Sequence, residues 1–292
     1  MSWKRLKDKK LQERLKVRAR IVQMIREFFV KEGFLEVETP IVVPAAGQEP
    51  YLNPFKTEFF NEREKKAQGY LITSPEYSHK KLLAAGFEKT FEITRAFRSG
   101  EEWGGLHNPE FAMIEWYRAH ADYTAIMEDV EKMVQFVAQT IFTARHSERS
   151  EESPANAGTH IRVRSFANAQ DDKACIEYQG KTIDISSPWE RLTMGEAWEQ
   201  YVPGFECTDL LVRANLCTLA KRRGYKVGTR DSYDDIFFKI FLTEIEPKLG
   251  FPKPTILYDY PSSMASLARL KPSPSPLPAG EGGRRPSKSE WA

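Results

Sequence analysis

The sequence predicts an α+β fold in which antiparallel strand pairs alternate with helices. Three observations carry this reading. Residues 91–98, FEITRAFR, and 111–118, FAMIEWYR, alternate apolar and polar side chains with the period of two that a strand requires. Apolar residues recur at helical spacing on either side of that pair, over residues 11–29 and 123–142. With 41% hydrophobic and 12% aromatic residues, the 292-residue chain has ample material for a substantial core.

Taken in order, Leu11, Leu15, Val22, Ile25 and Phe29 mark the first helix, and Gly33 stands where a helix C-cap belongs. The next stretch, FLEVETPIVV, reads as a strand in which Pro40 removes a ladder donor and so requires an edge, a bend or an interface. YLITSPEYSHKKLLAAGF gives a short strand, a Thr73/Ser74 cap, Pro75 at the first helical position and a helix ending near Gly86. The two alternating strands with their loop form an antiparallel hairpin, followed by the helix of residues 123–142. Further on, DIFFKIFLTEIEPKLG reads as one helix and PTILYDY as a strand. Residues 145–173, polar and containing the near-repeat SERSEES, read as a flexible insertion. Residues 272–288 alternate proline and then carry glycines, so no packed element is expected there. One domain over residues 1–271, interrupted at 145–173, followed by a disordered end over 272–292, is the organisation these features imply.

Composition excludes several classes. The formal charge of +2 provides no global field for nucleic acid or a membrane, although nine Lys or Arg face two acids in the first twenty residues. That run reads first as the solvated face of a helix. Three cysteines, Cys175, Cys207 and Cys217, have no paired spacing, which argues against zinc and against a disulfide framework and implies a reducing, cytoplasmic compartment. No stretch reaches membrane-spanning length.

The hairpin carries the chemistry. Phe111, Met113, Glu115 and Tyr117 share one strand face, and a carboxylate in such a row must reach water or meet a cation. A structural salt bridge would satisfy Glu115 as well as a ligand would. Gly100, Gly104 and Gly105 permit close backbone approach in the loop, Arg98 presents a fork of donors at its entrance, and His107, Asn108 and Glu110 gather at its exit.

This ordered set resembles motif 2 of the class II aminoacyl-tRNA synthetases, and FEITRAFR, HNPEF and IEWYRAHADY together resemble the lysine branch. VQMIREFFVKEGFLEVETPIVV is similar to motif 1, a dimer-interface helix and strand with a proline, here Pro40; TSPEYSHKKLLAAGF and PTILYDYPSSMASLA are also similar to lysine-type members. Within that branch the wording EWYR, and the ten to twenty residues ahead of motif 1 where a synthetase carries an anticodon-binding barrel, resemble the elongation factor P lysine (β-lysine) ligases.

The resemblance implies a class II antiparallel sheet flanked by helices, a homodimer through motif 1, and ATP with Mg2+ as cofactors. It implies activation of lysine or β-lysine as an acyl-adenylate, with transfer to a lysine of elongation factor P; tRNA is the alternative acceptor, and a non-catalytic binding or dimerising remnant is the alternative from another class. Arg98 would be the catalytic cation at the α-phosphate. Ser99, Gly100, Glu101, His107 and Asn108 would contact the nucleotide, and Phe111 would stack on adenine. Ser74, Pro75 and Glu76 would lie at a substrate amino group, with Glu115 and Tyr117 at the distal ammonium. For Glu76, complementing the N-terminal dipole of its helix is an equal alternative. No metal-ligating residue is assigned in the sequence. The family's acidic metal ligands and its motif 3, G-x-G-x-[DE]-R, find no match, while SEWA at residues 289–292 resembles the start of the segment that precedes them. A catalytic domain incomplete at its carboxyl end, with impaired activation chemistry, is therefore expected.

Overall fold

The computed structural model describes residues 3–49, 52–100, 107–148, 161–165, 174–178, 180–210, 212–264 and 268–269. It divides into two compact units, Met1–Gly158 and Thr159–Ala292, where the sequence reading has one domain.

The first unit is built on a hairpin. Helix α1 (Lys9–Lys31) starts at Asp8, whose side chain accepts the Lys10 N–H, and ends at Glu32. Gly33 follows at φ 79°, the left-handed conformation that lets the chain reverse into the sheet. The stretch read as one strand is two short ones, β1 (Leu35–Glu36) and β2 (Val42–Val43), in separate sheets with Pro40 between them. Proline cannot continue a ladder, so the chain bends there and changes partners. β2 joins the hairpin of β3 (Lys56–Phe60) and β4 (Lys66–Leu71) in the order β2-β4-β3. Helix α2 (Glu76–Ala84) begins after Pro75, which is its N-cap rather than its first helical residue, and stops before Gly86 at φ 97°.

Strands β5 (Lys89–Phe97) and β6 (Glu110–Arg118) form the expected antiparallel pair, and β1 adds to β5 in parallel. The central sheet is therefore mixed at one edge. Phe91 lies opposite Trp116 and Ile93 opposite Ile114, so one face is apolar. That face packs on Phe28 and Phe29 of α1 and Phe136 of α3 (Tyr123–Glu148). Phe29 stacks on Phe91 at 5.1 Å, and both are fully buried. Arg118 reaches Asp129 of α3 at 2.8 Å and ties the end of β6 to that helix. α3 runs past residue 142 into the stretch read as an insertion.

The second unit opens on another departure from that insertion reading. β7 (Ile161–Ser165) pairs antiparallel with β8 (Ala174–Tyr178), and β9 (Lys181–Asp184) completes the meander. The alternation in Ile161, Val163 and Ser165 is too short to stand out from its polar flanks. β10 (Glu190–Thr193) runs parallel to β11 (Thr255–Tyr258), the strand expected at PTILYDY. Between them lie α4 (Met194–Tyr201), α5 (Arg213–Arg222) and α6 (Tyr233–Ile240), the first and last opened by capping boxes from Thr193 and Ser232. Trp198, Leu216, Phe237 and Ile240 are fully buried among them. The single helix expected over residues 235–250 is α6, a π turn (Phe241–Ile245) and a 3-10 turn (Glu246–Lys248). Pro247 supplies no N–H to the ladder, so the α pitch cannot be carried through it. Residues 272–288 lie outside the described residues, as do most of residues 145–173.

Candidate active site on the central hairpin

The face of β5–β6 opposite the aromatic core is polar, and it gathers the predicted substrate residues. In the register Thr90 faces Tyr117, Glu92 faces Glu115, Thr94 faces Met113 and Ala96 faces Phe111. Glu115 accepts two hydroxyl donors, from Ser74 at 2.5 Å and from Tyr117 at 2.9 Å. Neither donor is a cation, and among the described residues no salt bridge holds this carboxylate. Ser74 also accepts the N–H of Glu76 at 3.1 Å, which fixes the start of α2 against the pocket, and Pro75 beside it is buried. Glu76 pairs with Lys80 one turn along α2 at 2.5 Å. It stands at the helix N-terminus, where a negative charge is favourable, and its charge also reaches Tyr117.

Electrostatics keep Tyr117 a donor. Burial, then the Glu115 charge and its hydrogen bond, then Glu76, push the phenol far above its usual value. It remains protonated and donates its hydroxyl to Glu115.

The other end of the hairpin holds the predicted nucleotide residues. The Arg98 guanidinium lies over the Phe111 ring at 5.1 Å and its Nε donates to the Thr73 carbonyl at 3.4 Å. Its backbone N–H bonds to Pro109 across the hairpin at 3.0 Å. Ser99 donates its N–H to Asn53 at 2.7 Å, and Gly100 follows at φ 78° with Asn53 so near that a Cβ would sit 3.2 Å from its amide nitrogen. His107 and Asn108 are exposed at the loop exit. Glu101, with Gly104 and Gly105, lies outside the described residues. The Arg98 guanidinium over the Phe111 ring, beside a glycine in the left-handed conformation, sets a cation and a flat apolar surface side by side at this end of the hairpin.

Several residues at the site were missed by sequence reasoning. Asn53 and Gln48 come from the loop after β2; Gln48 donates its N–H to the Tyr77 hydroxyl at 3.1 Å. Behind Tyr117 lie the buried His79, Thr90 and Glu92, with the half-buried Thr39 bonded to Glu92. Glu92 was placed on the polar face by alternation, but no local pattern identifies its partners. A cavity of about 670 Å³ opens beside α1, lined by Arg18, Arg26, Glu36, Thr39, Glu92 and Arg95 among others. None of the predicted site residues lines it, so the candidate site rests on the hairpin's chemistry rather than on cavity size. Among the described residues no group of three or more His, Cys, Asp or Glu side chains could hold a metal ion.

The profile of the tRNA synthetases class II (D, K and N) matches residues 1–281, and the chain belongs to that family, a family of ligases. Two of the relatives it matches carry lysine-branch names. A lysine–tRNA ligase of Magnetococcus marinus is 34% identical over 261 residues, covering 89% of this chain and 44% of that protein. An elongation factor P–(R)-β-lysine ligase of Mannheimia succiniciproducens is 31% identical over 254 residues, covering 87% of this chain and 64% of that protein. The chain thus spans between 44% and 64% of the length of these relatives. The resemblance read from the hairpin and motif 1 is borne out at the level of family and branch.

Proposed function

We propose that this chain binds ATP and lysine or β-lysine on the β5–β6 hairpin and serves their condensation to an acyl-adenylate, with elongation factor P as the acceptor of the aminoacyl group. The observation that carries the reading is Glu115, a carboxylate held by two hydroxyls on a half-buried strand face with no cation among its described partners. A substrate ammonium supplies the missing charge. Ser74, bonded to Glu115, and Glu76, whose N–H Ser74 accepts, serve the second amino group in this reading.

The chemistry asks little of acid–base groups. The substrate carboxylate is already ionised; its oxygen forms a bond to the α-phosphorus as the bond to the pyrophosphate oxygen breaks. Alignment and charge stabilisation then do most of the catalysis. Arg98, anchored through Thr73 and Phe111, is placed for the α-phosphate, with Ser99, Gly100, Glu101, His107 and Asn108 around the nucleotide. Magnesium is part of the family chemistry, and no step is assigned to it on these residues. Homodimerisation through α1 and the Pro40 bend belongs to the same reading: Val30, Leu35, Ile41 and Val42 are exposed there. So does a cytoplasmic location; no helix among the described residues is long and apolar enough to cross a membrane.

Transfer to tRNA is the second reading, because relatives at 34% identity carry that name. The test is lysine-dependent ATP–pyrophosphate exchange, followed by transfer of labelled lysine or β-lysine to elongation factor P or to tRNA in parallel. Label on elongation factor P alone supports the first reading and label on tRNA alone the second. Absence of lysine binding would overturn both.

A further inference from the structure

We propose that His79 is a positioning residue of the ammonium pocket: a buried flat platform that holds Tyr117, and through it Glu115, in register for the substrate. The inference rests on the lysine reading above and extends it to residues beyond the pocket wall. His79 lies on α2, is fully buried, and stacks on the Tyr117 ring with centroids 4.9 Å apart and planes 21° apart. Its own orientation is fixed from behind. Nδ1 is 2.9 Å from the Thr90 hydroxyl, and Nε2 is 3.3 Å from a Glu92 carboxylate oxygen.

Glu92 is fixed in turn. Thr39 gives it two donors, its backbone N–H at 3.1 Å and its hydroxyl at 2.9 Å. Burial alone would raise this carboxyl, but His79 and the Thr39 donors outweigh it and hold Glu92 below the ordinary value. The consequence concerns selectivity. Glu92 and Glu115 are direct cross-strand partners, so two carboxylates face the same side of the hairpin. Glu92 is occupied by Thr39 and His79, which leaves Glu115 for the ligand. The charged or titratable groups around the imidazole are Glu92, Tyr117 with Glu115 behind it, and Glu76 and Lys80 on its own helix.

A histidine kept only to satisfy Glu92 and Thr90 needs its polar atoms; a platform needs its ring. His79→Gln keeps polar atoms and removes the ring, whereas the double variant His79→Phe with Glu92→Gln keeps the ring and removes the carboxylate left beside it. In the full chain, lysine and ATP affinities are measured by calorimetry, thermal midpoints are recorded, and Tyr117 is followed by the resonance of incorporated 3-fluorotyrosine, assigned with Tyr117→Phe. His79→Gln is expected to fold with a near wild-type midpoint, to weaken lysine binding about three- to tenfold as loss of an aromatic contact implies, and to leave ATP binding unchanged. The Tyr117 resonance should move, and the double variant should recover most of the lysine affinity. Unaltered lysine binding in His79→Gln, equal loss for both ligands, or failure of that variant to fold overturns the proposal. If the wild-type chain binds no lysine, the lysine reading fails by itself; a shifted Tyr117 resonance then upholds the hold of His79 on Tyr117, and an unmoved one overturns it.

Discussion

The two faces of the β5–β6 hairpin are made by alternate residues of the same eighteen-residue strand pair, yet they are built on opposite principles. On one, Phe91, Ile114 and Trp116 meet α1 and α3 through aromatic contacts near 5 Å. On the other, Thr90, Glu92, Glu115 and Tyr117 meet hydroxyls, an imidazole and backbone donors. The first face stabilises by excluding water. The second holds carboxylates in fixed positions by giving each of them hydrogen-bond donors. A period of two thus separates a packed face from a polar one along a single strand.

The sharpest way to break this separation is from the apolar side. Phe91→Ala removes a fully buried ring from between Phe29 and the sheet. It should cost about 3–5 kcal/mol, read as a lowered urea midpoint. Loss of lysine binding in that variant should appear only as the protein unfolds. A folded Phe91→Ala chain with selectively lost ligand binding would show that the faces are not separate.

Arg98→Ala probes the division along the hairpin rather than across it. It should weaken ATP binding by about 10- to 100-fold, as expected for a charge-assisted contact, while lysine affinity stays within about twofold. Equal losses for both ligands would place Arg98 in the framework.

A smaller effect is expected from pH. Glu92 is held below the ordinary glutamate value of 4.5, so the stability it adds is complete above that value and is lost as pH falls through its folded value. Glu92→Gln lacks this component. Urea midpoints at pH 6 and pH 4 should therefore fall more for the wild type than for the variant, and parallel falls would remove Glu92 from the acid response.

The aromatic face was legible because FEITRAFR and FAMIEWYR alternate locally, and Gly33 and Pro40 marked a cap and a bend through their own backbone chemistry. The pocket residues Ser74, Glu115 and Tyr117 came from resemblance, and the structure brings them together across 41 residues. His79 was not legible: it sits among lysines in SHKKLL, and its role exists only through Glu92, itself bonded to Thr39 across 53 residues. The β3–β4 hairpin escaped for a different reason, since most of its residues are exposed and KTEFF and KAQGYL show little alternation. The π turn after α6 depends on Pro247 beyond it, and periodicity alone reads through such a change of pitch.

The central claim is that Glu115 awaits a substrate ammonium, and calorimetry of lysine against norleucine tests it most directly. Norleucine has the same carbon chain without the distal charge. Wild-type chain should bind lysine about 10- to 100-fold more tightly than norleucine, and Glu115→Gln should bring the two close together while ATP binding is unchanged. Equal affinity for lysine and norleucine in the wild type, or a preference that survives Glu115→Gln, would contradict the account.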